Sequence, residues 1–101
     1  MNNVIVIGQM EGEPQIVYTS KDGEKKLYKF TLRTPKPFKN KMGEIIDDFI
    51  NIKAWSNTVI DEFGLHDQAY LGIEGRIQSF GNSDLSTFAN EIIASKIIYL
   101  N

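Results

Sequence analysis

Residues 48–55 read Asp48-Phe49-Ile50-Asn51-Ile52-Lys53-Ala54-Trp55, an alternation of period two. Successive side chains of an extended chain point to opposite faces, so Ile50, Ile52 and Ala54 form one face and Phe49, Asn51, Lys53 and Trp55 the other. The first set is a core face. The second departs from the usual pattern, because the solvated side of a strand should be polar. Here two large aromatics stand in phase with an amide and an ammonium.

Working back from this strand, residues 34–43 read TPKPFKNKMG. Two prolines exclude a central strand, so the stretch is expected to be a protruding loop, rich in lysine, with Phe38 at its middle. Before it, Lys25 to Arg33 alternates again: Tyr28, Phe30 and Leu32 face one way, Lys29, Thr31 and Arg33 the other. Lys21-Asp22-Gly23-Glu24 carries the Asp-Gly hairpin signal. Gln15 to Thr19 and the β-branched run Val4-Ile5-Val6-Ile7 read as one first strand, interrupted by a bend near Pro14.

Forward from residue 55, Ser56-Asn57-Thr58 predicts a short helix through about Phe63, with Val59, Ile60 and Phe63 on one side and Gly64 as its stop. A fourth strand is expected over Tyr70–Ser79, a turn over Phe80-Gly81-Asn82-Ser83-Asp84, and a last strand from about Phe88 to Leu100. Gly72 and Gly75 inside the fourth strand point to barrel curvature or a bulge. Three strands, a short helix and two strands describe an all-β chain. A five-stranded OB-fold barrel, with its helix between the third and fourth strands, solves the edge problem for that order. Period-two patterning fixes faces but not pairing, so a meander with an added helix stays open. The whole chain, residues 1–101, is read as one domain.

Net charge is −2, yet the charges are segregated. Residues 21–41 hold eight basic side chains against two acidic ones, while the remainder holds three basic and eleven acidic. A positive stripe on an acidic body suits a polyanion that follows one path, although the charge pattern alone equally describes a solvated, solubilising segment. The aromatics decide the reading. Phe38, Phe49, Trp55 and Phe80 are candidates for stacking on bases, which is worth roughly 1–3 kcal/mol per base and tolerates any sequence. Lys25, Lys29, Arg33, Lys36, Lys39, Lys41, Asn51, Lys53 and Arg76 are candidates for phosphate or polar contacts. The residues alone leave open that Phe49 and Trp55 cover a second small core or a subunit contact.

Other chemistries find little support. The chain has no cysteine, so a disulfide, a thiolate metal site and a thiol nucleophile are excluded. His66 is the sole histidine and reads as a solvated loop residue. The pairs Asp47-Asp48 and Asp61-Glu62 are merely adjacent in sequence. No catalytic residue, metal or cofactor is expected. No apolar run approaches the ~20 residues of a membrane helix, and the N-terminus lacks a secretory pattern. A cytoplasmic protein without membrane association is expected.

Nearly the whole chain resembles the bacterial single-stranded DNA-binding proteins. Asn3-Val4-Ile5-Val6-Ile7-Gly8 is similar to that family's first strand. Tyr18-Thr19, Gly23 and Phe30-Thr31-Leu32 resemble its second hairpin, and Asp48 to Trp55 its aromatic-bearing strand. Ile73-Glu74-Gly75-Arg76-Ile77, the most specific match, resembles the hallmark of its fourth strand. The resemblance implies an OB barrel, sequence-tolerant wrapping of single-stranded DNA, and a homo-oligomer, with a tetramer favoured over a dimer. It matches Phe38 to a DNA-contacting loop aromatic and Phe49 and Trp55 to two stacking aromatics, and it puts Phe80 near another stacking position. Gln9 stands where arginine or asparagine is usual, and Glu13-Pro14-Gln15 replaces Asp-Pro-Glu. The family's acidic, apolar-tipped C-terminal tail is not in this sequence, so partner recruitment through such a tail is not expected. The alternative is a tail-less OB adaptor similar to primosomal replication protein N, a dimeric protein of replication restart.

Overall fold

A computed structural model describes residues 1–82 and 87–100 of the chain. Six strands form one sheet: β1 (Val4–Met10), β2 (Gln15–Thr19), β3 (Lys26–Pro35), β4 (Asp47–Trp55), β5 (Tyr70–Asn82) and β6 (Thr87–Tyr99). The sheet order is β1-β5-β6-β4-β3-β2, and β1 also pairs with β3, which closes five of the strands into a barrel. The β4–β6 contact is parallel and every other pairing is antiparallel. This is the OB-type barrel expected from the element order.

The sixth strand comes from a division of the first. β1 crosses from β5 to β3 at Gln9 and Met10, opposite Arg33 and Leu32. Glu11 N–H then donates to the Thr31 carbonyl at 3.0 Å. β2 resumes along the same edge with Gln15 opposite Lys29. The bend at residues 12–14 separates two lengths of one edge, and the second length lies outside the closed barrel.

Alternation decides what is buried. Tyr28, Phe30 and Leu32 of β3 meet Ile52 and Ala54 of β4, Leu71 and Ile73 of β5, and Ile92, Ala94 and Ile97 of β6 in one core, with Met10 of β1. The Asp-Gly hairpin forms as the sequence predicts: Gly23 takes a φ of +76°, a left-handed value that glycine adopts at no steric cost. The Asp22 carboxylate accepts hydrogen bonds from the Ser20 hydroxyl (2.5 Å) and the Glu24 N–H (3.0 Å). These bonds hold its pKa below the usual aspartate value. The expected bulge falls at Gly75, where the β5–β6 register shifts. A Cβ there would overlap the Ile93 carbonyl, so the strands approach closely only because the side chain is a hydrogen.

Two expectations need correction. The helix predicted from Ser56 is a single 3-10 turn at Glu62–Gly64, capped by the Asp61 side chain accepting from the Phe63 N–H. Only Val59 of the supposed apolar side is buried, Leu65 completes that plug, and Ile60 and Phe63 are exposed. So few residues cannot repay helix nucleation. The turn expected to begin at Phe80 begins later. Phe80, Gly81 and Asn82 are still in β5, paired with Ala89, Phe88 and Thr87, whereas Ser83 and Asp84 lie outside the described residues. Among the described residues no helix is long and apolar enough to cross a membrane.

Candidate nucleic-acid interface

Opposed residues in a ladder share a face, so the strand registers assemble the outer wall row by row. Arg33 lies opposite Phe49, Thr31 opposite Asn51, Lys29 opposite Lys53, and Leu27 opposite Trp55. Tyr18 of β2 continues the last row beyond Leu27. On the other side Lys53 is in register with Ile93 of β6, which faces Arg76 of β5. Gln78 faces Glu91, and Phe80 faces Ala89. One continuous wall therefore carries Phe49, Asn51, Lys53 and Trp55 along its middle, with Arg76, Gln78 and Phe80 on one flank and Lys29 and Arg33 on the other.

The aromatics of this wall are open to solvent. Phe49 is 61% exposed, Trp55 39% and Phe80 43%. Six steps along the strand lead from Phe49 to Trp55, roughly 20 Å. The Trp55 ring rests edge-on against Tyr18, with centroids 5.9 Å apart and planes at 81°. Beside it, Glu24, Lys25, Ser56 and Asn57 complete an open groove of about 550 Å³. Tyr18 is a site residue that sequence reasoning missed. Its signal was the hairpin register, which puts it two strands from Trp55 on the same row.

Two lysine-bearing hairpins bracket the wall. At the Trp55 end stands the β2–β3 turn with Lys21 and Lys25. At the Phe49 end the β3–β4 arms continue past the strands through Lys36 N–H to the Ile46 carbonyl (2.9 Å) and Asn40 N–H to the Glu44 carbonyl (2.8 Å). The Asn40 side-chain oxygen accepts from the N–H groups of Met42 and Glu44 and shapes the tip. Phe38, Lys39 and Lys41 project from this arm, all exposed. The prolines and Gly43 end the regular ladder here, yet the reversal is hydrogen-bonded and not an irregular loop.

The cations divide into two groups. Among the described residues Lys25, Lys29, Lys39, Lys41 and Arg76 make no ion pair, Arg76 reaching only Gln78 at 3.4 Å. Arg33 is engaged: it donates to Gln9 at 2.7 Å and approaches Glu11 at 3.5 Å and Asp47 at 3.8 Å. Lys36 pairs with Asp48. Lys53 pairs at 3.1 Å with Glu91, which also accepts a hydrogen bond from Gln78 at 2.8 Å. Glu91 and Gln78 went unnoticed in the sequence, because their meeting with Lys53 depends on the parallel β4–β6 contact. Among the described residues no cluster of histidine and carboxylate side chains could hold a metal ion, and His66 is exposed with its Nδ1 near the Asp67 carbonyl.

Several proteins share this architecture and sequence pattern. A Single-stranded DNA-binding protein 3 of Listeria innocua is 30% identical over 99% of this chain and 64% of its own length. Single-stranded DNA-binding protein B of Bacillus subtilis is 29% identical over 99% of this chain and 90% of its own. The chain thus spans under two thirds of the first relative and nearly all of the second. Among solved structures, a Plasmodium falciparum SSB in complex with ssDNA superposes with a TM-score of 0.76 at 22% identity, covering 100% of this chain and 96% of that one. The dimeric N-terminal domain of PriB from Thermoanaerobacter tencongensis superposes at 0.71 and 17% identity, covering 99% and 97%. Both likenesses establish the barrel. The sequence itself matches the Single-strand binding protein family over residues 1–98, and on that match, together with the barrel and its aromatic wall, the chain belongs to this family.

Proposed function

We propose that the protein binds and protects single-stranded DNA without sequence preference and without catalysis, in replication, recombination or repair in the cytoplasm. The observation that carries this reading is the row of Phe49, Asn51, Lys53 and Trp55, its two aromatics open to solvent, bracketed by hairpins in which Lys25, Lys39 and Lys41 have no carboxylate partner among the described residues. Phe38, Phe49, Trp55 and Phe80 stack on bases, and Asn51 hydrogen-bonds to the strand between them. Lys25, Lys29, Lys39, Lys41 and Arg76 meet phosphates. Arg33 and Lys36 sit on the same path but share their charge with Glu11, Asp47 and Asp48, which weakens their pull on DNA. The relatives named for single-stranded DNA binding support the reading. Competition tests it: unlabelled single strand should displace a labelled oligo-dT, and duplex of equal length should not. Equal displacement by duplex would end the proposal.

The active form is proposed to be a homo-oligomer, with a tetramer favoured over a dimer. Ile5 and Ile7 of β1 are 71% and 65% exposed. Ile7 faces Gly72, which faces the exposed Ile98 of β6, so three isoleucines form an apolar strip on the wall opposite the aromatics. An isologous contact would bury this strip while leaving the aromatic wall open. Several barrels then present several stacking walls to one strand, and linked engagements gain from high effective concentration. Light scattering at micromolar concentration should give a multimer, and a monomer mass would refute the assembly.

A further inference from the structure

Glu91 is the one charged side chain fully buried among the described residues, at 3% exposure. It is not in the core. Its partner across the ladder is Gln78, and it lies under the outer wall, covered by the side chains that face DNA in the proposed function. One carboxylate oxygen holds Lys53 Nζ at 3.1 Å and the other accepts from Gln78 Nε2 at 2.8 Å. The same Nζ stands 5.7 Å from the centre of the Phe80 ring, within the range of a cation–π contact. Lys29 lies directly opposite Lys53 on β3, so without Glu91 two like charges would face each other across the ladder.

We infer that Glu91 is a positioning residue that withholds Lys53 from the phosphates and fixes it beside Phe80, leaving the middle of the wall electrically neutral for bases. The inference rests on the single-strand binding reading and deepens it. To reach a phosphate, Lys53 would have to leave a buried carboxylate without its counter-charge, which is strongly unfavourable. The lysine therefore stays in place and releases no counterion. The phosphate path is displaced toward the cations that have no carboxylate partner among the described residues: Lys25, Lys29, Lys39, Lys41 and Arg76. Lys53 sets where the backbone does not run.

The test compares the salt dependence of oligo-dT binding, read by anisotropy, for the wild type, E91Q and the double variant with K53M. Glutamine keeps an acceptor for Lys53 but removes the charge that holds it. E91Q should bind more tightly at low salt, and its slope of log K against log salt should steepen by about 0.7, one added single-strand phosphate. That slope corresponds to roughly a 2.6-fold greater loss over a roughly fourfold rise in salt. The double variant, in which neither charge remains, should keep the wild-type slope. An unchanged slope in E91Q, or a double-variant slope shallower than wild type by about 0.7, overturns the inference. Absence of binding by the wild type would instead remove the function proposal, and this inference with it. Should E91Q fail to fold, a crystal structure of the wild type with oligo-dT decides the matter. Lys53 Nζ should remain on Glu91 with no phosphate oxygen in hydrogen-bond reach, and a phosphate on Nζ would overturn the assignment.

Discussion

Replacing Trp55 with alanine separates a stacking role from a packing role, because the two act on different observables. In the free protein 39% of the residue is in water, and its ring touches Tyr18 at an edge rather than filling the barrel. A fully buried aromatic truncated to alanine costs about 3–5 kcal/mol, much of it from the cavity left behind. Truncation at a solvent-open rim leaves no enclosed cavity, so the stability loss here should be about 2 kcal/mol or less. That includes the aromatic pair with Tyr18, worth about 0.5–1.5 kcal/mol beyond area burial. Binding should suffer at least as much: one lost stack is worth about 1–3 kcal/mol, or roughly 5- to 160-fold in affinity. Urea denaturation gives the first number, and anisotropy of a labelled oligo-dT, under conditions where the variant is folded, gives the second. A stability loss above about 3 kcal/mol with affinity unchanged would show that Trp55 is structural and that the wall has been misread.

Other perturbations follow from the same geometry. Gly75→Ala drives a Cβ into the Ile93 carbonyl at the β5–β6 bulge and should cost about 1–3 kcal/mol or more by overpacking; a denaturation midpoint equal to wild type would contradict it. Asp67 accepts from the Gly12 N–H and from Gln68, which hold its pKa below 3.8. A depressed folded pKa means that its contribution is present above the unfolded value and is lost as pH falls through the folded one. Asp67→Asn should therefore lower the urea midpoint at neutral pH and match wild type well below pH 3.8, whereas a gap that persists in acid would count against the cap. Replacing Lys39 and Lys41 together with glutamine should flatten the salt slope by about 1.4, two single-strand phosphates; an unaltered slope would take the β3–β4 arm off the DNA path.

The sequence made the faces legible but not the long-range registers. Phe49, Asn51, Lys53 and Trp55 could be assigned outward because β4 alternates without a break, and Asp22-Gly23 signalled its hairpin through local turn chemistry. Closure was inferred from element order alone, and the parallel β4–β6 contact that seals the barrel leaves no local mark. Lys53 accordingly read as a free cation, when its partner Glu91 lies thirty-eight positions away in sequence. The 56–63 stretch reads as a helix because Val59, Ile60 and Phe63 carry helical spacing, while the connection is a short plug with only Val59 and Leu65 inward. Residues 80–84 read as a turn, yet cross-strand pairing with β6 keeps Phe80, Gly81 and Asn82 extended. That extension places Phe80 on the same wall as Lys53, within cation–π distance.

The central claim is that single-stranded DNA lies across the aromatic wall, and Trp55, the only tryptophan in the chain, reports on it directly. Its fluorescence should be quenched on titration with oligo-dT, saturating at a fixed number of nucleotides per protomer and recovering as salt is raised. Oligo-dT that binds by anisotropy while the Trp55 emission stays unchanged would contradict the account, because the strand would then be held elsewhere on the barrel.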